Sequence, residues 1–122
     1  RFYPPDCDKY ILGSDQIWNA VITFGIADPY FGGFVRESKD KFAYAPSFGK
    51  NYIHKIFTNK VKKYLQKLGS ISVREKEGIE LVKALTGRQA IQLIDPSFLL
   101  EKEDWDEIAV NYIVLNITLF EI

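Results

Sequence analysis

The chain has very little of the chemistry from which metal and thiol sites are built. Its 122 residues include one cysteine, one histidine and no methionine. Cys7 has no intrachain partner for a disulfide, and with His54 as the single imidazole a cysteine–histidine zinc site has no ligand set. We therefore expect no metal site, and the missing initiator methionine indicates an internal piece of a longer protein.

An excess of charge of either sign is absent as well. Sixteen basic residues balance sixteen acidic ones, for a formal net charge of zero. Bulk charge therefore argues against a nucleic-acid partner and against a membrane-surface protein. The local group Lys60, Lys62, Lys63 and Lys67 lies on a segment with helical periodicity. It is interpreted as a solvated helix face, with a binding role as the alternative.

Long hydrophobic runs and a leader sequence are also missing. The longest apolar segments are far too short to cross a bilayer, and no basic stretch followed by an apolar one opens the chain. These absences predict a cytoplasmic protein without a transmembrane segment. The G-x-G-x-x-G, Walker and nucleophile-elbow patterns do not occur, so dinucleotide, ATP and serine-hydrolase functions lack support.

The chain does contain an alternation of strand-like and helix-like segments. A hydrophobic content of 47% suits one packed domain. Strands are predicted at 9–12, 41–45, 70–73, 89–94 and 112–120, helices at 53–68, 75–85 and 103–109, and a long loop or edge ribbon at 26–35. This order predicts βαβ units and a mainly parallel sheet, which is an α/β fold.

Polar residues follow four of the predicted strands. The clusters are Gly13-Ser14-Asp15-Gln16, Ser47-Phe48-Gly49, Arg74-Glu75 and Asp95-Pro96-Ser97. Ligands of open α/β sheets bind beyond the carboxyl ends of the strands, so these clusters predict one wall of a binding site. The alternative for each cluster is local turn and cap chemistry. Asp95, which precedes a proline, is interpreted as a structural strand end.

Three side chains of this region have competing interpretations. Asp15, at a strand tip, would contact sugar hydroxyls or act as a base; an Asx-turn or helix cap is the alternative. Trp18 would stack on a sugar ring or seal the core. Arg74 would bind a carboxylate or phosphate through its guanidinium fork, or pair with a neighbour such as Glu75 or Asp95.

Four segments, in this order and spacing, resemble the polysaccharide pyruvyl transferase family. They are Gly13-Ser14-Asp15-Gln16-Ile17-Trp18-Asn19, Tyr44-Ala45-Pro46-Ser47-Phe48-Gly49, Ser70-Ile71-Ser72-Val73-Arg74-Glu75 with Gly78, and Asp95-Pro96-Ser97-Phe98-Leu99-Leu100 followed by Trp105. Pro46 departs from the small residue, such as alanine, that the family more often has there. It removes a backbone donor beside Ser47.

The resemblance implies a Rossmann-like, three-layer α/β domain with a mainly parallel sheet, as one half of a glycosyltransferase-B-like two-domain protein. Residues 1–110 would form a partial amino-terminal half, and residues 111–122 a strand leading toward a second half outside this chain. The implied activity moves the pyruvyl group of phosphoenolpyruvate, a donor substrate and not a cofactor, to a sugar of a cell-surface polysaccharide as a ketal.

The implied partners are therefore phosphoenolpyruvate and a sugar or polysaccharide acceptor. The implied substrate-binding residues are Gly13, Ser14, Asp15, Gln16, Trp18, Asn19, Ser47 and Arg74. Catalytic residues and the cations that grip phosphoenolpyruvate are expected in the carboxy-terminal half, so this chain alone is expected to be inactive. The alternatives are a non-catalytic sugar- or partner-binding α/β module, or another sugar transferase on the same scaffold.

Overall fold

The computed structural model describes residues 7–25, 28–35 and 41–110. Within them lie four short strands, two helices that carry core residues and a third helical segment whose residues are exposed. The strands are β1 (Tyr10–Leu12), β2 (Lys41–Ala43), β3 (Ser72–Val73) and β4 (Ile91–Gln92), and the helices are α1 (Lys55–Gln66) and α2 (Lys76–Thr86). A 3-10 turn at Pro96–Leu99 follows, and residues 102–110 are helical.

The strands pair in parallel. Tyr10 of β1 lies opposite Lys41 of β2, and Ser72 of β3 opposite Ile91 of β4. A parallel bridge between Ala43 and Ile71 joins the two pairs. The strands therefore lie side by side in chain order, which confirms the predicted α/β class with parallel strands.

The predicted elements that fall on described residues are present, and the strands and α1 are shorter than predicted. Helices predicted at 53–68 and 75–85 are α1 and α2, and the short helix at 103–109 is found at 102–110. The strand predicted at 89–94 is reduced to two exposed residues, because only this part pairs with β3. The predicted loop is seen as turns at 28–35. The strand at 112–120 lies outside the described residues.

The core lies between the helices and one face of the strands. Leu65 of α1, Val73 of β3 and Val82 of α2 are fully buried, and each such side chain contributes about 1.5–3 kcal/mol to stability. On the other face Ile11 is 71% exposed and Ile91 61% exposed. The described helices therefore cover a single face of the strands.

Arg88 links the ends of the two helices. Its guanidinium donates to the carbonyl oxygens of Leu65, Leu68 and Gly69 at 2.6–2.7 Å. Leu65 lies in the last turn of α1, and Leu68 and Gly69 follow the helix, so this contact closes the carboxyl end of α1 from outside. At the end of α2, Gly87 adopts the left-handed conformation and its N–H donates to the Lys83 carbonyl.

Lys41 is a buried cation inside the first parallel pair. It is 1% exposed, and its Nζ donates to the carbonyl oxygens of Gly32 at 3.2 Å and Val35 at 3.0 Å. Burial lowers the pKa of this amine, and the nearby charge of Lys67 lowers it further. The contact ties the turn at 28–35 to β2. None of the described helices is long and apolar enough to cross a membrane.

Candidate functional site

The site begins at a tight turn after β1. Gly13 has φ of +127°, and a Cβ atom there would collide with the carbonyl oxygen of Tyr44 and lie 3.2 Å from Cδ of Pro46. The peptide that carries this carbonyl is fixed by the N–H of Ala45, which donates to Ser72 Oγ at 2.9 Å. A glycine is therefore required for the chain to pass this close to the end of β2.

This turn brings Ser14 to Asp95 across the strand ends. Ser14 Oγ donates to Asp95 Oδ2 at 2.7 Å, although the two residues are 81 positions apart. The N–H and hydroxyl of Ser97 donate to Asp95 Oδ1 at 3.0 and 2.8 Å. These hydrogen bonds, the one from Ser14 foremost, together with Arg74 hold the pKa of the Asp95 carboxyl well below its usual range.

Arg74 lies among three carboxylates. Its Nη1 is 3.2 Å from Asp95 Oδ2, its Nη2 is 3.8 Å from Asp15 Oδ1, and its Nε is 3.8 Å from Glu75 Oε1. The ion pairs expected as the alternative to a ligand role are therefore present. Asp15 itself has φ of +60° and an 85% exposed side chain, so one of its carboxylate oxygens remains open to a ligand.

Ser47 is completely buried beneath this group. Its Oγ donates to Oε1 of Glu75 and accepts the N–H of Gly49 at 2.9 Å. Its own N–H donates to the Asp15 carbonyl at 2.7 Å. The second oxygen of Glu75 is buried and has no hydrogen-bond partner within the described residues. The buried Ser47 therefore holds the Asp15 backbone and the Glu75 carboxylate in position through hydrogen bonds.

Gln16 and Asn19 form an amide pair at the edge of the site. Asn19 Nδ2 donates to Gln16 Oε1 at 2.8 Å, and Asn19 is only 6% exposed. Beside them is a cavity of about 430 Å³. It is lined by Gln16, Gly49, Lys50, Asn51, Glu75 and Glu77. The lining offers amide, ammonium and carboxylate groups together, which suits a ligand rich in hydroxyls.

Trp18 takes the core position. It is 3% exposed, stacks on Phe31 with ring centroids 4.8 Å apart, and contacts Phe48 at 5.0 Å. Its indole N–H donates to the Tyr30 carbonyl at 3.1 Å. The ring is thus buried against two aromatic neighbours with its polar edge hydrogen-bonded, which favours the sealing role over stacking on a sugar.

The structure brings the four sequence clusters together through these contacts. Ser14, which follows Gly13, and Arg74 contact Asp95, and Asp15 joins them through Arg74. Ser47 contacts Glu75, and Gln16, paired with Asn19, lines the cavity beside it. Two members of the network, Glu75 and Asp95, belong to the predicted polar clusters but were not among the implied substrate-binding residues. Asp95 was assigned to strand ending, and it does cap the following 3-10 turn, but it is also the hub for Ser14 and Arg74. Glu75 could have been found from its position directly after Arg74.

We expect Asp95→Asn to reduce the fall in the free energy of unfolding that occurs at acid pH. The folded-state pKa of Asp95 is lowered, so its carboxylate stabilises the fold at every pH above the unfolded value of about 3.9. This contribution is lost as pH falls through the folded-state pKa. Urea unfolding of the unmodified chain should therefore show a fall in stability below about pH 4 that is smaller in the variant.

The matched control is Asp106→Asn, which removes a carboxylate paired with Lys102 on the exposed surface of the helix at 102–110. This variant should keep the acid profile of the unmodified chain. Identical profiles for Asp95→Asn and the unmodified chain would contradict the assignment of Asp95 as the hub.

Comparison with known proteins gives one family. The family model for polysaccharide pyruvyl transferase matches residues 1–121 of the chain. No curated protein and no solved structure matches it significantly.

Proposed function

Because this chain belongs to the polysaccharide pyruvyl transferase family, we propose that it forms part of a cytoplasmic enzyme that transfers the pyruvyl group of phosphoenolpyruvate to a sugar of a polysaccharide. A transferase-like function with a polysaccharide acceptor follows from the family. The donor and the ketal product are our proposal. We also assign the chain to the amino-terminal half of a Rossmann-like, glycosyltransferase-B-like protein, where the strand ends would face a cleft.

The polar cavity beside Gln16 carries this proposal. Sugar hydroxyls both donate and accept hydrogen bonds, and the cavity lining supplies acceptors on Glu75 and Glu77 and donors on Lys50 and Asn51. Its volume of about 430 Å³ is in the range of small-molecule sites. The exposed carboxylate of Asp15 adds a further acceptor at the strand tip.

The charge of the site favours the acceptor sugar over the donor. Phosphoenolpyruvate carries a phosphate and a carboxylate, and binding it requires unpaired cations. The guanidinium of Arg74 is shared among Asp95, Asp15 and Glu75, so the group as a whole is negative. Such a group attracts hydroxyl donors and repels a polyanion. We therefore assign the binding of phosphoenolpyruvate to cations outside this cluster.

Binding the sugar here and phosphoenolpyruvate at separate cations fits the chemistry of ketal formation. The methylene carbon of the enol phosphate is protonated and one sugar hydroxyl adds to the neighbouring carbon. The bond from that carbon to the phosphate oxygen then breaks, and the second hydroxyl bonds in its place. Of the two hydroxyl protons released, one replaces the proton taken up by the methylene and the other leaves with phosphate. The two hydroxyls must be held in a fixed orientation toward that carbon, since positioning lowers the barrier substantially. We assign this positioning to Gln16 and Glu75, which line the cavity, and Asn19 holds the Gln16 amide in place.

Sugar binding by the chain tests the proposal. Saturation-transfer NMR with a panel of hexose and hexosamine oligosaccharides should detect binding of at least one acceptor class, whereas phosphoenolpyruvate should show none. Gln16→Ala should weaken the sugar affinity about three- to tenfold, the value of one hydrogen bond. Gln66→Ala, on the exposed face of α1, should leave it unchanged.

Two results would contradict the proposal. One is binding of phosphoenolpyruvate without binding of any sugar. The other is equal sugar affinity for the Gln16 and Gln66 variants, which would place the sugar elsewhere on the chain.

A further inference from the structure

The charge of this neutral chain is distributed unevenly. Residues 41–74 contain no aspartate or glutamate. The basic residues of the same stretch are Lys41, Lys50, Lys55, Lys60, Lys62, Lys63, Lys67 and Arg74. Lys41 is buried and Arg74 is paired with carboxylates. The remaining positive charge lies around α1 and the loop before it. This part of the chain therefore has a positive electrostatic potential although the net charge of the chain is zero.

Three of these lysines form a stripe on α1. Lys60, Lys63 and Lys67 follow Ile56 at spacings of four, three and four residues, so all four lie on one side of the helix. All four are exposed, and Ile56 is 72% exposed. Among the described residues, the stripe has one acidic contact, the exposed ion pair of Lys60 with Asp28 at 3.6 Å.

Exposed apolar side chains adjoin the start of this stripe. Ile56 and Tyr52, which is 57% exposed, line a mostly apolar cavity of about 220 Å³ together with Val21. The turn at 20–25 packs beside α1, since a Cβ on Gly25 would lie 2.8 Å from the Phe57 ring. Phe24, in the same turn, is 90% exposed. These side chains have no role in the sugar site.

We propose that this face binds the surface of an anionic lipid membrane. We call it the α1 surface and define it by Phe24, Tyr52, Ile56, Lys60, Lys63 and Lys67. Its lysines would contact lipid headgroups while Phe24 and Ile56 enter the interface and Tyr52 lies at headgroup level. A polyanion such as an acidic polysaccharide would use the lysines alone. The adjoining exposed apolar side chains favour a lipid surface, because basic and apolar groups act together there.

The inference does not depend on pyruvyl transfer. Its test measures partition of the full chain onto vesicles of phosphatidylcholine and phosphatidylglycerol in equal parts, with vesicles of phosphatidylcholine alone as reference. Binding should require phosphatidylglycerol and fall as salt is raised. Removing three charges with Lys60→Gln, Lys63→Gln and Lys67→Gln should lower the partition coefficient roughly 100-fold, since each lysine near an anionic surface contributes about fivefold.

A matched triple variant controls for net charge. Lys76→Gln, Lys83→Gln and Lys102→Gln remove the same charge from exposed positions outside the α1 surface. This control should bind as the unmodified chain does. For the apolar part, Phe24→Ser should weaken partition about tenfold, and Phe98→Ser, at a side chain 76% exposed elsewhere, should not. Circular dichroism of each variant verifies that the fold is kept.

Three outcomes would overturn the proposal. The first is no partition onto phosphatidylglycerol vesicles. The second is an equal loss in the two triple variants, which would make the effect one of net charge. The third is that the chain binds dextran sulfate as tightly as vesicles and that Phe24→Ser weakens neither interaction. That result would assign the lysines to a soluble polyanion.

Discussion

Replacing Trp18 by alanine is expected to lower the free energy of unfolding by about 3–5 kcal/mol. The ring is 3% exposed and contacts both Phe31 and Phe48, and Phe31 stacks in turn on Tyr64 at 5.4 Å. Truncation would leave a cavity lined by Phe31 and Phe48, and it would leave the Tyr30 carbonyl without its indole donor. Urea unfolding followed by far-ultraviolet circular dichroism measures the loss.

The second tryptophan of the chain is the control for Trp18. Trp105 lies on the helix at 102–110 and is 43% exposed, so Trp105→Ala should cost less than about 1 kcal/mol. The comparison also separates the two interpretations of Trp18. A variant that keeps its stability but no longer binds sugar would show that the ring stacks on a ligand and does not seal the core.

Substituting Gly13 by alanine is expected to destabilise the chain by about 3 kcal/mol or more, the sum of backbone strain and overpacking. The backbone has φ of +127°, and the new Cβ would meet the Tyr44 carbonyl oxygen, which is backbone and cannot rotate away. Relief requires separating the ends of β1 and β2, and that would also move Ser14 away from Asp95.

Gly87→Ala gives the matched comparison for Gly13. Gly87 has φ of +73°, but nothing lies within 4 Å of a Cβ built there. This variant carries the conformational cost alone, about 1–2 kcal/mol. Equal unfolding free energies for the two variants would show that close approach to Tyr44 contributes nothing at Gly13. The readout is again the midpoint and slope of urea unfolding.

The helices were predictable because their signal is local. In α1, Phe57, Val61 and Leu65 recur every four residues and face the core, and in α2 Gly87 ends the helix where the sequence places a stop. Strand length was not predictable from the same kind of pattern. An apolar run such as 89–94 continues beyond its pairing partner, and only two of its residues pair with β3.

The meeting of the polar clusters was predictable in outline. Parallel strands put their carboxyl ends on one side, so the four clusters were expected to lie on the same edge of the sheet. Which atoms meet was not predictable. Ser14 reaches Asp95, and Ser47 reaches Glu75, because of the particular turn at Gly13 and the depth at which Ser47 is buried.

The sequence by itself determined the α/β class, the helices, the family and the four polar clusters, because composition, periodicity and short ordered motifs are properties of neighbouring residues. Only the tertiary structure decided which side chains contact each other. It placed Arg74 among three carboxylates, closed α1 with the guanidinium of Arg88 and buried Lys41 against two carbonyls. Each of these contacts joins residues brought together by the path of the chain in space, and that path is set by packing of the whole core.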